Sequence, residues 1–194
     1  MAISLNKGQG ISLAKEAPGM QVAMLGAGWG MKETKGFFGG KKLKEIDLDA
    51  SCILFDDGGQ LIDQVWFQQL RSADGAILHT GDDRSGGGAD NDPNEEIRVD
   101  LNAVNAAAKT LMFTINSFTG ETFDGIPNAF CVLKSVDDGS EIARYNLSNE
   151  GGRWTALVIA KLVRGGKGWE FHALGEWGNG RTFQELLPVM QRHL

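Results

Sequence analysis

Between Gly81 and Glu96 the chain reads Gly-Asp-Asp-Arg-Ser-Gly-Gly-Gly-Ala-Asp-Asn-Asp-Pro-Asn-Glu-Glu, a run of carboxylates and amides with almost no apolar residue to pin it. Such a stretch resists order for two reasons: its like charges repel, and glycine loses the most backbone freedom when fixed. It is either a disordered acidic loop or a loop ordered by something positive. A hard cation such as Ca²⁺ takes about six to eight oxygen ligands in flexible geometry, which this composition offers. Asp90, Asp92 and Asn94 reproduce the D-x-D-x-N opening of an EF-hand, but Glu95 then stands where the motif needs glycine, and Leu101 where it needs glutamate. The loop is therefore not a self-contained EF-hand. Its donors, Asp82, Asp83, Asp90, Asp92, Asn94, Glu95 and Glu96, need oxygens from elsewhere, and Asp47 and Asp49 could supply them. The cluster holds no histidine or cysteine, which disfavours Zn²⁺, and its crowding suits Ca²⁺ better than Mg²⁺.

The elements that would position these groups read as strands. In Ile46–Phe55, period-two alternation places Ile46, Leu48, Ala50, Cys52 and Leu54 on one face, with Asp47, Asp49 and Ser51 on the other before Ile53 and Phe55 take over. Asp56-Asp57-Gly58-Gly59 is a turn and Leu61–Phe67 returns, which predicts a hairpin. Ala76–His79 is a short strand feeding into the acidic loop, and Ile97–Leu101 alternates cleanly after it. Ser4–Lys15 reads as two short strands around a glycine turn, and Met20–Trp29 as a strand loosened by glycine toward its end. The basic, glycine-rich segment Lys32–Lys44 is expected to be a mobile loop with Phe37 and Phe38 as anchors. Further strands are predicted over 110–118, 128–136, 141–147, 155–163 and 169–174, and one longer helix at the C-terminus. Thr182 would cap that helix ahead of Phe183, Leu186, Leu187, Met190 and Leu194, with Pro188 kinking it. About ten short strands without a βαβ rhythm indicate an all-β fold, a single antiparallel β-sandwich domain over 1–194 with a C-terminal helix.

Composition narrows the function. The chain has 194 residues, a formal net charge of −6 and 27 glycines against 4 prolines. An acidic chain of this kind is a poor candidate for nucleic-acid binding or for docking on anionic membranes. Met1–Lys7 lacks the basic-then-apolar layout of a secretory signal, and no apolar run approaches the ~18 residues of a membrane span. A cytoplasmic protein is expected, with Cys52 and Cys131 as buried small hydrophobes in a reducing compartment. Catalytic constellations are thin. Of the three histidines, His79, His172 and His193, His172 alternates within an apolar strand and reads as a packed or surface residue rather than a base; His79 lies close to Asp82, but no nucleophile elbow, phosphate-binding loop or H-E-x-x-H accompanies it.

The motifs also carry a resemblance. Ser4-Leu5-Asn6-Lys7-Gly8, Gly26-Ala27-Gly28-Trp29, Ile46-Asp47-Leu48-Asp49-Ala50-Ser51, His79-Thr80-Gly81-Asp82-Asp83, Asn128-Ala129-Phe130 and Glu141–Ser148 together are similar to the TerD family of tellurium-resistance and stress proteins, nearest its TerZ-like members. The resemblance runs nearly end to end. It implies a β-sandwich that binds Ca²⁺ through the two acidic segments, with Asp47, Asp49, Asp82, Asp83, Asp92 and Glu95 matching the pattern. Asp83 replaces the family's usual asparagine, and Gly87 and Ala89 stand where acidic residues are common. Main-chain carbonyls such as those of Gly86 or Gly88 could complete the shell. The resemblance further implies work in complexes with other tellurite-resistance proteins at the inner face of the cell membrane, without insertion into it.

Three expectations compete. In the first, the chain is a non-enzymatic Ca²⁺-binding module whose metal orders the loop as an interaction surface. In the second, it is a metal-dependent hydrolase using the same carboxylates, with His79 as base. In the third, tellurite reacts at Cys52 or Cys131.

Overall fold

Side-chain alternation in the strand Leu48–Phe55 decides the layering. Leu48, Ala50, Cys52 and Leu54 enter the central core, while Ile53 and Phe55 join a second apolar cluster on the opposite side. The structure, a computed structural model, describes residues 2–35, 40–44, 46–81, 92–124, 126–147 and 152–194. In chain order the strands are β1 (Ile3–Ser4), β2 (Gly10–Ser12), β3 (Val22–Gly28), β4 (Lys32–Lys35), β5 (Lys41–Lys44), β6 (Leu48–Phe55) and β7 (Leu61–Val65). They continue with β8 (Ile77–His79), β9 (Glu95–Asp100), β10 (Thr110–Ser117), β11 (Phe130–Ser135), β12 (Glu141–Asn146), β13 (Ala156–Gly165) and β14 (Gly168–Gly178). A single helical turn, α1 (Leu13–Glu16), follows β2.

Two six-stranded sheets face each other, one ordered β1-β12-β11-β3-β9-β8 and the other β2-β14-β13-β10-β6-β7. Leu25, Ile97 and Leu133 from the first meet Leu54, Leu111 and Leu162 from the second in one core. All pairings are antiparallel except β1 with β12. The antiparallel sandwich expected from the strand rhythm is present, and the β6–β7 hairpin forms as read.

Two expectations need correction. Lys32–Lys44 holds a two-stranded ribbon, β4 against β5, rather than a loop throughout; lysine and glycine lower strand propensity, yet backbone pairing sets Lys32 opposite Lys44 and Lys35 opposite Lys41. Phe37 and Phe38 lie outside the described residues. The C-terminal helix is divided into a 3₁₀ turn (Phe183–Leu186), α2 (Leu187–Met190) and a second 3₁₀ turn (Gln191–His193). Pro188 falls in the first turn of α2, where its missing N–H costs nothing, but it cannot continue the i→i−4 ladder from the preceding turn. The Glu185 carboxylate accepts the Thr182 N–H at 3.1 Å, which closes the start of the segment. Phe183, Leu186 and Met190 then cover Ile53, Phe55 and Met112, burying the outer face of the second sheet. Among the described residues, no helix is long and apolar enough to cross a membrane.

Candidate metal centre

The acidic loop is the connection of a hairpin. β8 and β9 pair antiparallel with His79 opposite Ile97, so the connection between them leaves after His79 and returns into β9 at Glu95. At the outgoing end the Thr80 N–H donates to the Glu96 carbonyl at 3.0 Å. Asp82, Asp83 and Asp90 lie outside the described residues.

The returning end is fastened residue by residue. Pro93 packs against β3, where a Cβ on Gly26 would fall 2.6 Å from the Pro93 Cβ; only a residue without a side chain lets the loop approach so closely. The next residue, Asn94, donates its N–H to the Ala27 carbonyl at 2.8 Å and accepts the Trp29 N–H on Oδ1 at 2.8 Å. The Trp29 indole N–H in turn donates to the Ile46 carbonyl at 2.9 Å, immediately before Asp47. Glu95 makes a second tie. Its Oε2 accepts the Ala50 N–H at 2.6 Å, immediately after Asp49. β7 pairs with β6 only from Cys52 onward, so the head of β6 is bound here by a side chain from the opposite sheet. Asn94 and Glu95 thus bracket Asp47 and Asp49 at one end of the sandwich.

Alternation sorts the remaining candidates. Glu95 points inward and is 1% exposed, whereas Glu96 turns to the outer face of its sheet and pairs with Arg98 at 3.0 Å. The structure does not bring Glu96 to Glu95. Asp92 is exposed at the loop's return, Asp47 is half-buried ahead of β6, and Asp49 is buried in register with Asn116 of β10. Among the described residues, no three His, Cys, Asp or Glu side chains gather as a metal-holding group.

His79 is 1% exposed, with Nδ1 accepting the Gly81 N–H at 3.2 Å and Nε2 lying 3.4 Å from Glu95 Oε2. Both thiols are buried. Burial pushes the Cys131 thiol up to about 12, and burial with Asp63 nearby pushes Cys52 well above its ordinary value. Sequence reasoning missed Trp29 and Ala50 as parts of the site. The indole in Gly-Ala-Gly-Trp was the only available signal for the first, and the second acts through its backbone, which no side-chain pattern reveals.

The fold and the motif-bearing end point to one family, and comparison with known proteins agrees. The TerD domain profile matches residues 1–188. The chain is 41% identical over 187 residues to tellurium resistance protein TerZ of Serratia marcescens, covering 95% of this chain and 94% of that one. It is 34% identical over 198 residues to stress response protein SCP2 of Bacillus subtilis strain 168, covering 96% and 98%. The crystal structure of a TerD homologue from Streptomyces coelicolor A3(2) superposes with a TM-score of 0.69 over 89% of this chain and 98% of its own; at 19% identity it shows the shared fold. The chain belongs to the TerD domain family of tellurium-resistance and stress-response proteins.

Proposed function

We propose that this chain is a non-enzymatic Ca²⁺-binding protein of the tellurite-resistance and stress-response system. Asp47 and Asp49 provide one half of the site and the acidic loop the other. The observation that supports this reading is the double tie of Asn94 through Trp29 to Ile46 and of Glu95 to Ala50, which holds the returning end of the loop against the head of β6 beside Asp47 and Asp49. The available donors fit a hard cation. They are carboxylate, amide and main-chain oxygens, and both thiols are buried in strands of the core. When bound, Ca²⁺ would neutralise like charges that otherwise oppose ordering of the loop. The ordered loop then forms an interaction surface for other tellurite-resistance proteins in a cytoplasmic complex peripheral to the membrane.

The hydrolase reading has less support. A general base must reach the water it activates, and His79 is buried with Nδ1 accepting from Gly81 and Nε2 facing Glu95. Thermal denaturation with Ca²⁺ and with Mg²⁺ tests the proposal. A ligand that binds only the folded state adds about 2.7 kcal/mol at ~100 times its Kd. The melting temperature is expected to rise with Ca²⁺, far less with Mg²⁺, and the Ca²⁺ shift to vanish in Asp82→Ala. No shift at millimolar Ca²⁺ in the wild-type protein overturns the proposal.

A further inference from the structure

We propose that the lysine-rich β4–β5 ribbon of one copy docks into an acidic cleft at the opposite end of a second copy, so that the chain associates head to tail; this is independent of the Ca²⁺ reading above. The ribbon joins neither six-stranded sheet. Residues 32–44 hold five lysines against one glutamate in a chain whose formal net charge is −6, so basic charge is gathered on the ribbon and the remainder is more acidic than the whole. Backbone register sets Lys32 opposite Lys44 and Lys35 opposite Lys41, and like charges directly opposite each other weaken a strand pair. A two-stranded ribbon alone is already marginal in water. An anionic partner relieves that repulsion. Strand alternation puts Lys32, Lys42 and Lys44 at positions of one face. The Lys32 ammonium donates to the Asp124 carbonyl, which ties down the foot of the ribbon, and Lys42 is exposed.

The complement lies at the other end of β3. The ribbon follows the last residue of that strand and Met20 precedes its first, about 20 Å away at ~3.3 Å per residue. There a cleft of about 370 Å³ opens between residues 17–20 and the β11–β12 hairpin. Glu16, Asp137 and Asp138 give it carboxylates, and Met20 and Ile142 give it an apolar wall. Glu16 is shared with its exposed neighbour Lys15 at 3.2 Å. The other two side chains are held in place: Asp137 Oδ2 accepts the Gln21 N–H at 2.6 Å, and Asp138 Oδ1 accepts the Ser140 N–H at 3.0 Å and its hydroxyl at 2.7 Å. Hydrogen bonds from Ser140 keep the Asp138 carboxyl below its ordinary 3.8, so it is ionised at neutral pH. A lysine suits such a cleft, its methylene stem along the apolar wall and its ammonium among the carboxylates. Each copy carries one ribbon and one cleft at opposite ends, so the contact is heterologous and propagates rather than closing as a two-fold dimer.

Sedimentation velocity on the full chain, with circular dichroism to establish the fold, tests this. Exposed ion pairs are individually weak and screened by salt. Wild-type protein should associate as its concentration rises at about 50 mM NaCl, and the association constant should fall at least about tenfold at about 500 mM. Lys42→Glu/Lys44→Glu and Asp138→Lys should each be monomeric alone and should associate when mixed, because the mixture restores opposite charges at both contacts. Wild-type protein that stays monomeric at low salt, association that survives in either reversed variant alone, or a mixture that stays monomeric overturns the inference. Monomeric wild-type protein that instead sediments with phosphatidylglycerol vesicles gives the lysines a lipid partner and overturns the second-copy assignment. If Asp138→Lys does not fold, Glu16→Lys takes its place in the mixture with the same expected outcomes.

Discussion

Glu95 and Ala50 belong to opposite sheets, and the Glu95 carboxylate accepts the Ala50 N–H at 2.6 Å in the closed interior between them. Removing the side chain leaves that buried N–H without its acceptor, a loss of about 1–3 kcal/mol for a donor shut away from water. Glu95→Ala is therefore expected to lower the urea midpoint by an amount in that range or above it. Glu95→Gln, which keeps an acceptor oxygen, should lie between Glu95→Ala and wild type. Equal midpoints for Glu95→Ala and wild type would show that the tie contributes nothing.

Gly26 is the second point at which the loop meets the sheet. A methyl group there would fall 2.6 Å from the Pro93 Cβ and 2.8 Å from its Cγ, so the proline ring and the returning loop have to move. Overpacking of this kind costs about 1–3 kcal/mol. Gly26→Ala should lower the melting temperature and weaken Ca²⁺ binding together, because Asn94 and Glu95 follow Pro93 directly. Gly166→Ala, with nothing within 4 Å of its added methyl, serves as the control and should leave both unchanged.

These two cases show how far the sequence could be read. The alternation of Asp47 and Asp49 against Leu48 and Ala50 was legible because strand periodicity is local, and Leu48 and Ala50 do enter the core. The failed EF-hand pattern around Asp90 was legible as a loop that cannot close a site on itself, since the motif lacks its glycine and final glutamate. What was not legible is who meets whom. β3 pairs on one edge with β9 and on the other with β11, both far downstream in the chain, and no local pattern announces that Glu95 will find Ala50 or that Asn94 will find Trp29. The β4–β5 ribbon was missed for the opposite reason: composition argued against a strand, while antiparallel pairing across a short connection made one. The C-terminal segment kept its apolar contacts, Phe183, Leu186 and Met190, although Pro188 divided the helix that its spacing suggested.

The two thiols should be inert in the folded protein. Both are buried, and burial holds the Cys131 thiol near 12 and Cys52 well above its ordinary value. Thiolate is the reactive species, so a thiol reagent such as DTNB at neutral pH should modify Cys52 and Cys131 only at the rate of unfolding. The Cys52→Ser/Cys131→Ser protein, once shown to fold, should retain tellurite tolerance in cells. Rapid modification of the native protein, or loss of tolerance in the folded double variant, favours thiol chemistry instead.

Acid should destabilise the fold through a few identifiable carboxylates. The bidentate contact from Arg144 holds Glu141 below its ordinary 4.5. For Asp74, partial burial raises the pKa, but hydrogen bonds from Ser72, Ala76 and Asn105 outweigh it and lower the net value from 3.8. A carboxylate with a depressed folded-state pKa contributes stability above its unfolded value, and that contribution is lost as pH falls through the folded value. The melting temperature should accordingly change little between pH 6 and 8 on account of these groups and fall below about pH 4. Glu141→Gln should show a shallower acid limb, by a modest amount because the pair is partly exposed. An acid limb as steep as that of wild type contradicts the assignment for Glu141.

In the proposed function, two acidic segments distant in sequence make one Ca²⁺ site. Calcium titration of Asp47→Asn/Asp49→Asn and of Asp82→Ala/Asp83→Ala, read by native mass spectrometry against wild type, tests it most directly. A shared site predicts that both double variants, each still folded, lose the same Ca²⁺ uptake seen in wild type. Full Ca²⁺ uptake by either variant, or none by the wild-type protein, would contradict it.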